Sequence, residues 1–255
     1  MTAQSRSVEL PTPDGGWFHP WPNVFELATA LPPDHWTLVG GLMVQAHALG
    51  HGIDVVRPTD DLDILLHIEI SAAVVSRADR DIAALGYSLQ EPADARRQGS
   101  PHYRYTRASA LGVETIDVMA PEHASPRAAR RLRGRPMFEV EGGTQALGRT
   151  MTYRVVTRVD GVVGISVPDE LGALVLKGAA YSVDRRDRDR HLMDAAVLAA
   201  CISDHATEIG RLGGSDRRRL RTLWRALAEP THPAWLALDP GHRVAGQDTL
   251  RILTD

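Results

Sequence analysis

The stretch from Trp36 to Leu49 leaves the chain few ways to fold. Trp36-Thr37-Leu38-Val39 is a short apolar run that reads as a buried strand, Gly40-Gly41 breaks it, and Leu42 to Leu49 has the composition of a short apolar helix. A strand that enters a glycine turn and then a helix N-terminus presents bare backbone amides and the positive end of the helix dipole. Glycine lets an anion come close to that backbone, so the junction can cradle phosphate oxygens. Taken alone, the pair also fits an ordinary strand-to-helix turn.

A second feature follows about twenty residues on. From Asp61 to Leu66 the alternation sets Leu62, Ile64 and Leu66 on one face and Asp61, Asp63 and Leu65 on the other, the period of a strand. Asp61 and Asp63 then project from one face with Cα atoms roughly 7 Å apart. Hard oxygen ligands suit Mg²⁺, and a pair of such ions can hold the attacking and leaving oxygens of phosphoryl chemistry. A solvated strand face, or a capping turn beginning at Asp60, fits the same two aspartates. A third carboxylate normally completes such a site. Asp117, flanked by Ile116 and Val118 in a strand from Val113 to Met119, is the candidate, because a lone carboxylate inside a sheet is costly unless a cation or donor compensates it.

The remaining elements order themselves around these. Residues 1–20 lack periodicity and read as a loosely ordered arm, and Asn23 is placed to cap a short helix to Leu31. A helix from about Ser71 to Leu85 ends at Gly86, and Tyr87 to Gln90 and His102 to Thr106 read as strands. Thr152 to Arg158 and Val162 to Val167 form a hairpin through Asp160-Gly161. Pro168 then opens a helix to Ala180, Arg188 to Ile202 is a second, and Ser215 caps a third to about Ala228. The final thirty residues, rich in proline and glycine, give no clear pattern. The expected chain is α/β (α+β): an arm (1–20), a mixed sheet flanked by helices (21–167), and a mostly α-helical part (168–255).

Composition narrows the chemistry. The single cysteine, Cys201, lies in an apolar stretch and rules out a disulfide framework or a cysteine-rich metal site. No apolar run reaches the roughly 18 residues of a membrane span, and no secretory signal is evident, so a cytoplasmic protein without a membrane partner is expected. Net charge is -3, yet arginines cluster at Arg127 to Arg135, Arg185 to Arg190 and Arg217 to Arg225, the last being the better candidate for an RNA-contacting surface. Of 29 basic residues 28 are arginine; Lys177 is the one lysine. Its compact ammonium can meet triphosphate oxygens as a point charge, where arginine's fork has a different reach. Arg190 and Asp194 stand i, i+4 and fit an exposed helix ion pair. His47 and His191 are read as structural histidines near apolar faces.

Leu38-Val39-Gly40-Gly41-Leu42-Met43-Val44-Gln45-Ala46-His47 together with Arg57-Pro58-Thr59-Asp60-Asp61-Leu62-Asp63-Ile64 resembles the nucleotidyltransferase-fold proteins of the AbiEii and MenT toxin type, within the DNA polymerase β-like superfamily. Thr115-Ile116-Asp117-Val118-Met119 looks like that family's third-acid strand, and Gly142-Gly143-Thr144-Gln145-Ala146-Leu147 is similar to a segment of actinobacterial relatives. Lys177, and Arg190-His191-Leu192-Met193-Asp194, resemble the lysine and later aspartate of toxin-type members; the likeness covers roughly residues 36–203.

The resemblance implies a nucleotidyltransferase-type mixed sheet and an enzyme that moves an NMP from an NTP to an acceptor hydroxyl. It implies nucleotide binding by Gly40, Gly41, Thr59 and Lys177, Mg²⁺ (two ions) on Asp61, Asp63 and Asp117, and catalytic roles for those aspartates, Lys177 and Asp194. It also implies a toxin-like role, with tRNA or protein as acceptor and a separately encoded antitoxin. An aminoglycoside-type transferase and a catalytically silent nucleotide-binding module are the alternatives.

Overall fold

In the computed structural model, residues 6–54, 57–71, 73–92, 101–110, 112–124, 130–157 and 161–255 are described. The chain opens with β1 (Ser7–Glu9) and α1 (Trp21–Ala30), then runs through β2 (Trp36–Val39), α2 (Gly40–Gly50), β3 (Asp61–Leu66) and α3 (Ala73–Ala84). Next come β4 (Ser88–Leu89), β5 (Arg104–Ser109) and β6 (Gly112–Pro121), and a small hairpin of β7 (Arg131–Leu132) and β8 (Arg135–Pro136). After β9 (Glu139–Val140) and α4 (Gly143–Leu147), the long hairpin of β10 (Thr150–Thr157) and β11 (Gly161–Pro168) closes the strand-bearing part.

The main sheet has the order β2-β3-β6-β5-β4, with β9 alongside β6. Within it β3 and β6 are parallel, while β2 and β5 run antiparallel to their neighbours. A second sheet, β1-β10-β11, meets the first where the Thr37 and Ser166 hydroxyls lie 2.8 Å apart. Parallel β3 and β6 need a crossover, and α3 supplies it.

Beyond β11 every described element is helical: α5 (Glu170–Val183), α6 (Asp189–Ala200), α7 (His205–Arg211), α8 (Asp216–Ala226), α9 (Pro233–Leu236) and α10 (Pro240–Thr254). One apolar core runs from Val24 and Leu27 through Leu62 and Ile64 to Leu174, Leu198 and Trp235. Burial of each such side chain contributes about 1.5–3 kcal/mol before entropy is counted, so the sheet and the helices stand or fall together. No helix among the described residues is long and apolar enough to cross a membrane.

Several expectations are corrected here. Asn23 is no cap: α1 begins at Trp21, and Asn23 is buried, donating to the Tyr87 hydroxyl at 2.7 Å. The arm is not loose where it is described, since Ser7–Glu9 pairs with β10 and Leu10 is 2% exposed. Pro168 ends β11 instead of opening α5. The cap is Asp169, whose carboxylate accepts from the Gly172 amide at 2.9 Å. The hairpin turn at Asp160 and the start of the arginine cluster at Arg127 lie outside the described residues. The unreadable C-terminus is α9 and α10, locked by Trp235, which is fully buried and donates to the Leu227 carbonyl at 2.9 Å.

Candidate active site

The register of β3 on β6 pairs Asp63 with Asp117 and Asp61 with Thr115. Paired residues on neighbouring strands project to the same face. The alternation that buries Leu62, Ile64, Ile116 and Val118 to 1% exposure or less therefore brings Asp61, Asp63 and Asp117 together on the opposite side. On the far flank of β6, antiparallel β5 sets Arg104 opposite Asp117. Its Nε and Nη2 donate to the two Asp117 oxygens at 2.8 and 2.7 Å, and Nη2 also reaches Asp61 Oδ2 at 3.5 Å.

On the near flank, β2 lays Val39 beside Asp63, so the chain leaves the sheet and starts α2 against that carboxylate. Gly40 has φ +71°, and a Cβ there would lie 1.9 Å from Asp63 Oδ2 and 2.8 Å from Asp63 Cβ. A Cβ on Gly41 would lie 2.8 Å from the Thr59 Cβ and Oγ1. Gly40 admits only glycine by space and by dihedral angle alike, whereas Gly41 is restricted by space alone. The loop carrying Thr59 is tied to α2 by Gln45, which donates to the Arg57 carbonyl at 3.1 Å and accepts from the Trp21 indole at 3.0 Å.

Burial, and then the Asp117 charge, push the Asp63 carboxyl up to about 7, with Lys177 and Arg190 pulling the other way. Burial also raises Asp117, against the downward pull of Arg104. Both shifts come first from burial, with the Asp117 charge adding to it at Asp63 and the Asp61 charge at Asp117, against the pull of Lys177 and Arg190 on the one and Arg104 on the other. An all-oxygen donor set is the kind a hard divalent cation takes, although among the described residues the group of three whose ligand atoms gather within 4.8 Å is His47, His51 and Glu170.

Lys177 and Asp194, 17 residues apart, meet where α5 packs on α6. Nζ lies 2.7 Å from Oδ2, and the two residues are 5% and 2% exposed. Arg57 reaches the other Asp194 oxygen from Nε at 3.4 Å. The expected Arg190–Asp194 helix pair does not form. Arg190 donates to Asp184 at 3.0 Å instead, while Asp194 faces inward to the lysine. Arg190 and Lys177 nevertheless both act on Asp63, which places positive charge on the helical side of the carboxylates.

His47 has His51 four residues on, at the C-cap of α2, and with Glu170 they bring ligand atoms within 4.8 Å of one another. The donors are already spent. The Pro168 carbonyl, 2.8 Å from His47 Nε2, can only accept, so Nε2 carries the proton; Nδ1 then accepts from the Tyr153 hydroxyl at 3.1 Å. Burial favours a neutral Glu170, yet hydrogen bonds from His51 and Arg6 help bring it down to about 2. This group is a clasp that fastens β1 and α2 to the start of α5. His191, 7% exposed, lies 3.0 Å from Asp184 through Nε2 and is likewise part of the packing.

Arg104 and Arg57 are the residues near the carboxylates that the sequence reading missed. The signal for Arg104 was a period-two one, an arginine on the face opposite buried Tyr105 in a strand already legible from His102 to Thr106.

No family model matches the chain, and no curated protein matches it. The crystal structure of an antigenic nucleotidyltransferase-like protein from Paracoccidioides brasiliensis is similar to it at a TM-score of 0.48 and 12% identity, over 81% of this chain and 88% of that one. At that distance the likeness carries no functional weight.

Proposed function

We propose that this chain is a metal-dependent nucleotidyltransferase of the AbiEii/MenT toxin type, transferring an NMP from an NTP to an acceptor hydroxyl with release of pyrophosphate. One observation carries the reading: Asp63 is in register with Asp117 while Gly40 lies against its carboxylate, so the acidic strand face adjoins the N-terminus of α2. Cation ligands and phosphate-facing amides are then in reach of the same triphosphate.

When bound at Asp61, Asp63 and Asp117, Mg²⁺ would supply Lewis-acid chemistry, drawing charge from triphosphate oxygens and lowering the pKa of an acceptor hydroxyl. The chain's own groups do the rest. Amides at Gly40 and Gly41 orient the triphosphate, with Thr59 packed against Gly41. The acceptor oxygen forms a bond to the α-phosphorus as the bond to the β-phosphate oxygen breaks. The hydroxyl proton passes to a carboxylate of the trio, and pyrophosphate carries the electron pair away. Lys177, held by Asp194, and Arg190 offset the charge that develops on the leaving group. A toxin-like role with tRNA or protein as acceptor, a separately encoded antitoxin and a cytoplasmic setting belong to the same proposal.

The test incubates the protein and Mg²⁺ with each α-labelled NTP, supplying total tRNA, protein lysate or aminoglycosides in separate reactions. Label in tRNA or protein that disappears with the folded Asp61→Asn/Asp63→Asn variant is the expected result. Label in aminoglycoside alone would remove the toxin role, and transfer undiminished in the double variant would remove the mechanism.

A further inference from the structure

Arg104 is placed unlike any other cation near the trio. Its Nη2 sits between the Asp117 and Asp61 carboxylates, 2.7 Å from Oδ2 of the first and 3.5 Å from Oδ2 of the second, while Nε holds the remaining Asp117 oxygen at 2.8 Å. A divalent cation held by both Asp117 and Asp61 would need the space beside their oxygens that the Arg104 guanidinium fills. Two positive charges cannot share it. The two sides of the contact differ in freedom. The Asp117 side chain is 10% exposed and fixed in the sheet, whereas that of Arg104 is 43% exposed and has room to leave.

We propose that Arg104 is an exchangeable counter-ion: it and a divalent cation are alternative partners of the Asp117 and Asp61 oxygens, and the cation binds by turning Arg104 out toward the triphosphate. The inference rests on the reading of Asp61, Asp63 and Asp117 as metal ligands. Once released, the guanidinium has its planar donor fork free, a shape that matches phosphate oxygens in pairs. A triphosphate then gives Arg104 a new partner while its cation takes the old one. Metal and nucleotide thereby help each other bind, and by linkage the help is reciprocal. Arg107, three residues on, offers a contrast: its guanidinium is divided between Glu26 and Glu114, away from the trio, and it is a strut.

The experiment measures Mn²⁺ binding by calorimetry and electron paramagnetic resonance at pH 8, for wild type, Arg104→Met and Arg104→Lys, with and without a non-hydrolysable NTP analogue. Asp63→Asn is built into each background. Without nucleotide, Arg104→Met should bind Mn²⁺ about tenfold tighter or more, because the competing charge-assisted bonds are gone. Arg104→Lys, which keeps the charge, should stay near wild type. With nucleotide the advantage should shrink. Unchanged or weaker Mn²⁺ binding in Arg104→Met, where Asp63-dependent binding persists in wild type, overturns the role of Arg104 and leaves the metal site standing. Absence of any Asp63-dependent binding overturns both. Should the variants not fold, the wild-type Nε–Hε resonance of Arg104 gives the same answer: it should move when Mg²⁺ and the analogue are added, and a resonance that stays put refutes the exchange.

Discussion

Replacing Gly40 by alanine probes the junction on which the site depends, and Gly52 provides its control. Both glycines have positive φ, +71° and +67°, so alanine at either must enter the left-handed region at about 1 kcal/mol. They differ in surroundings. A Cβ at Gly52 meets nothing within 4 Å, whereas one at Gly40 lies 1.9 Å from Asp63 Oδ2 and 2.8 Å from Asp63 Cβ. Rotating the carboxylate relieves the first contact. It cannot relieve the second, because both Cβ positions are fixed by backbone, so α2 and β3 must separate by about 1 Å at an overpacking cost of about 1–3 kcal/mol. Gly40→Ala should therefore lose about 2–4 kcal/mol in urea unfolding and Gly52→Ala about 1 kcal/mol. A displacement of this size at the reacting groups should also lower nucleotidyl transfer about a hundredfold in Gly40→Ala, with Gly52→Ala close to wild type. Equal destabilisation by the two substitutions, or full activity in Gly40→Ala, would refute the reasoning.

Two further expectations concern the buried charges. Lys177→Met leaves Asp194 buried without its ammonium and should cost about 3–5 kcal/mol in urea unfolding; the double variant Lys177→Met/Asp194→Leu should recover more than half of that, and a double variant no more stable than the single one would contradict the pairing. Glu170 has its carboxyl lowered from 4.5 to about 2, so its contribution of about 3 kcal/mol is complete above pH 4.5 and lost as pH falls from there toward 2. Wild type should therefore lose stability more steeply than Glu170→Gln over that window. Parallel pH profiles for the two proteins would show that Glu170 titrates alike in the folded and unfolded chain.

The elements nearest the carboxylates were the most legible in the sequence. Asp61–Leu66 and Trp36–Val39 carry patterns that local sterics and burial dictate, and the strands have those bounds in the structure. The helix after the glycines begins at Gly40 itself, two residues earlier than its composition suggests, since glycine hides where a helix starts. The Asp63–Asp117 register is a tertiary fact, and period-two alternation alone supplied only the face of each acid. For Arg104, too, alternation supplied only the face, because no local rule says which strand lies across from β6. Lys177 stood out by its solitude in an arginine-rich chain, but its partner did not. Asp194 on its own helix is paired most simply with Arg190, and only the packing of α5 on α6 turns it to the lysine. Within α10 the signal was present and passed over: Asp239 caps Pro240 at the first helical position, accepting from the Gly241 and His242 amides at 2.9 and 3.2 Å. Proline and glycine at the helix start left the final thirty residues without a clear pattern in the sequence.

Anomalous diffraction from crystals grown with Mn²⁺ and a non-hydrolysable NTP bears most directly on the account. The strongest peaks should lie among the carboxylates of Asp61, Asp63 and Asp117, with the triphosphate between them and the N-terminus of α2. Manganese bound at His47, His51 and Glu170, or nucleotide bound away from Gly40 and Gly41, would contradict it.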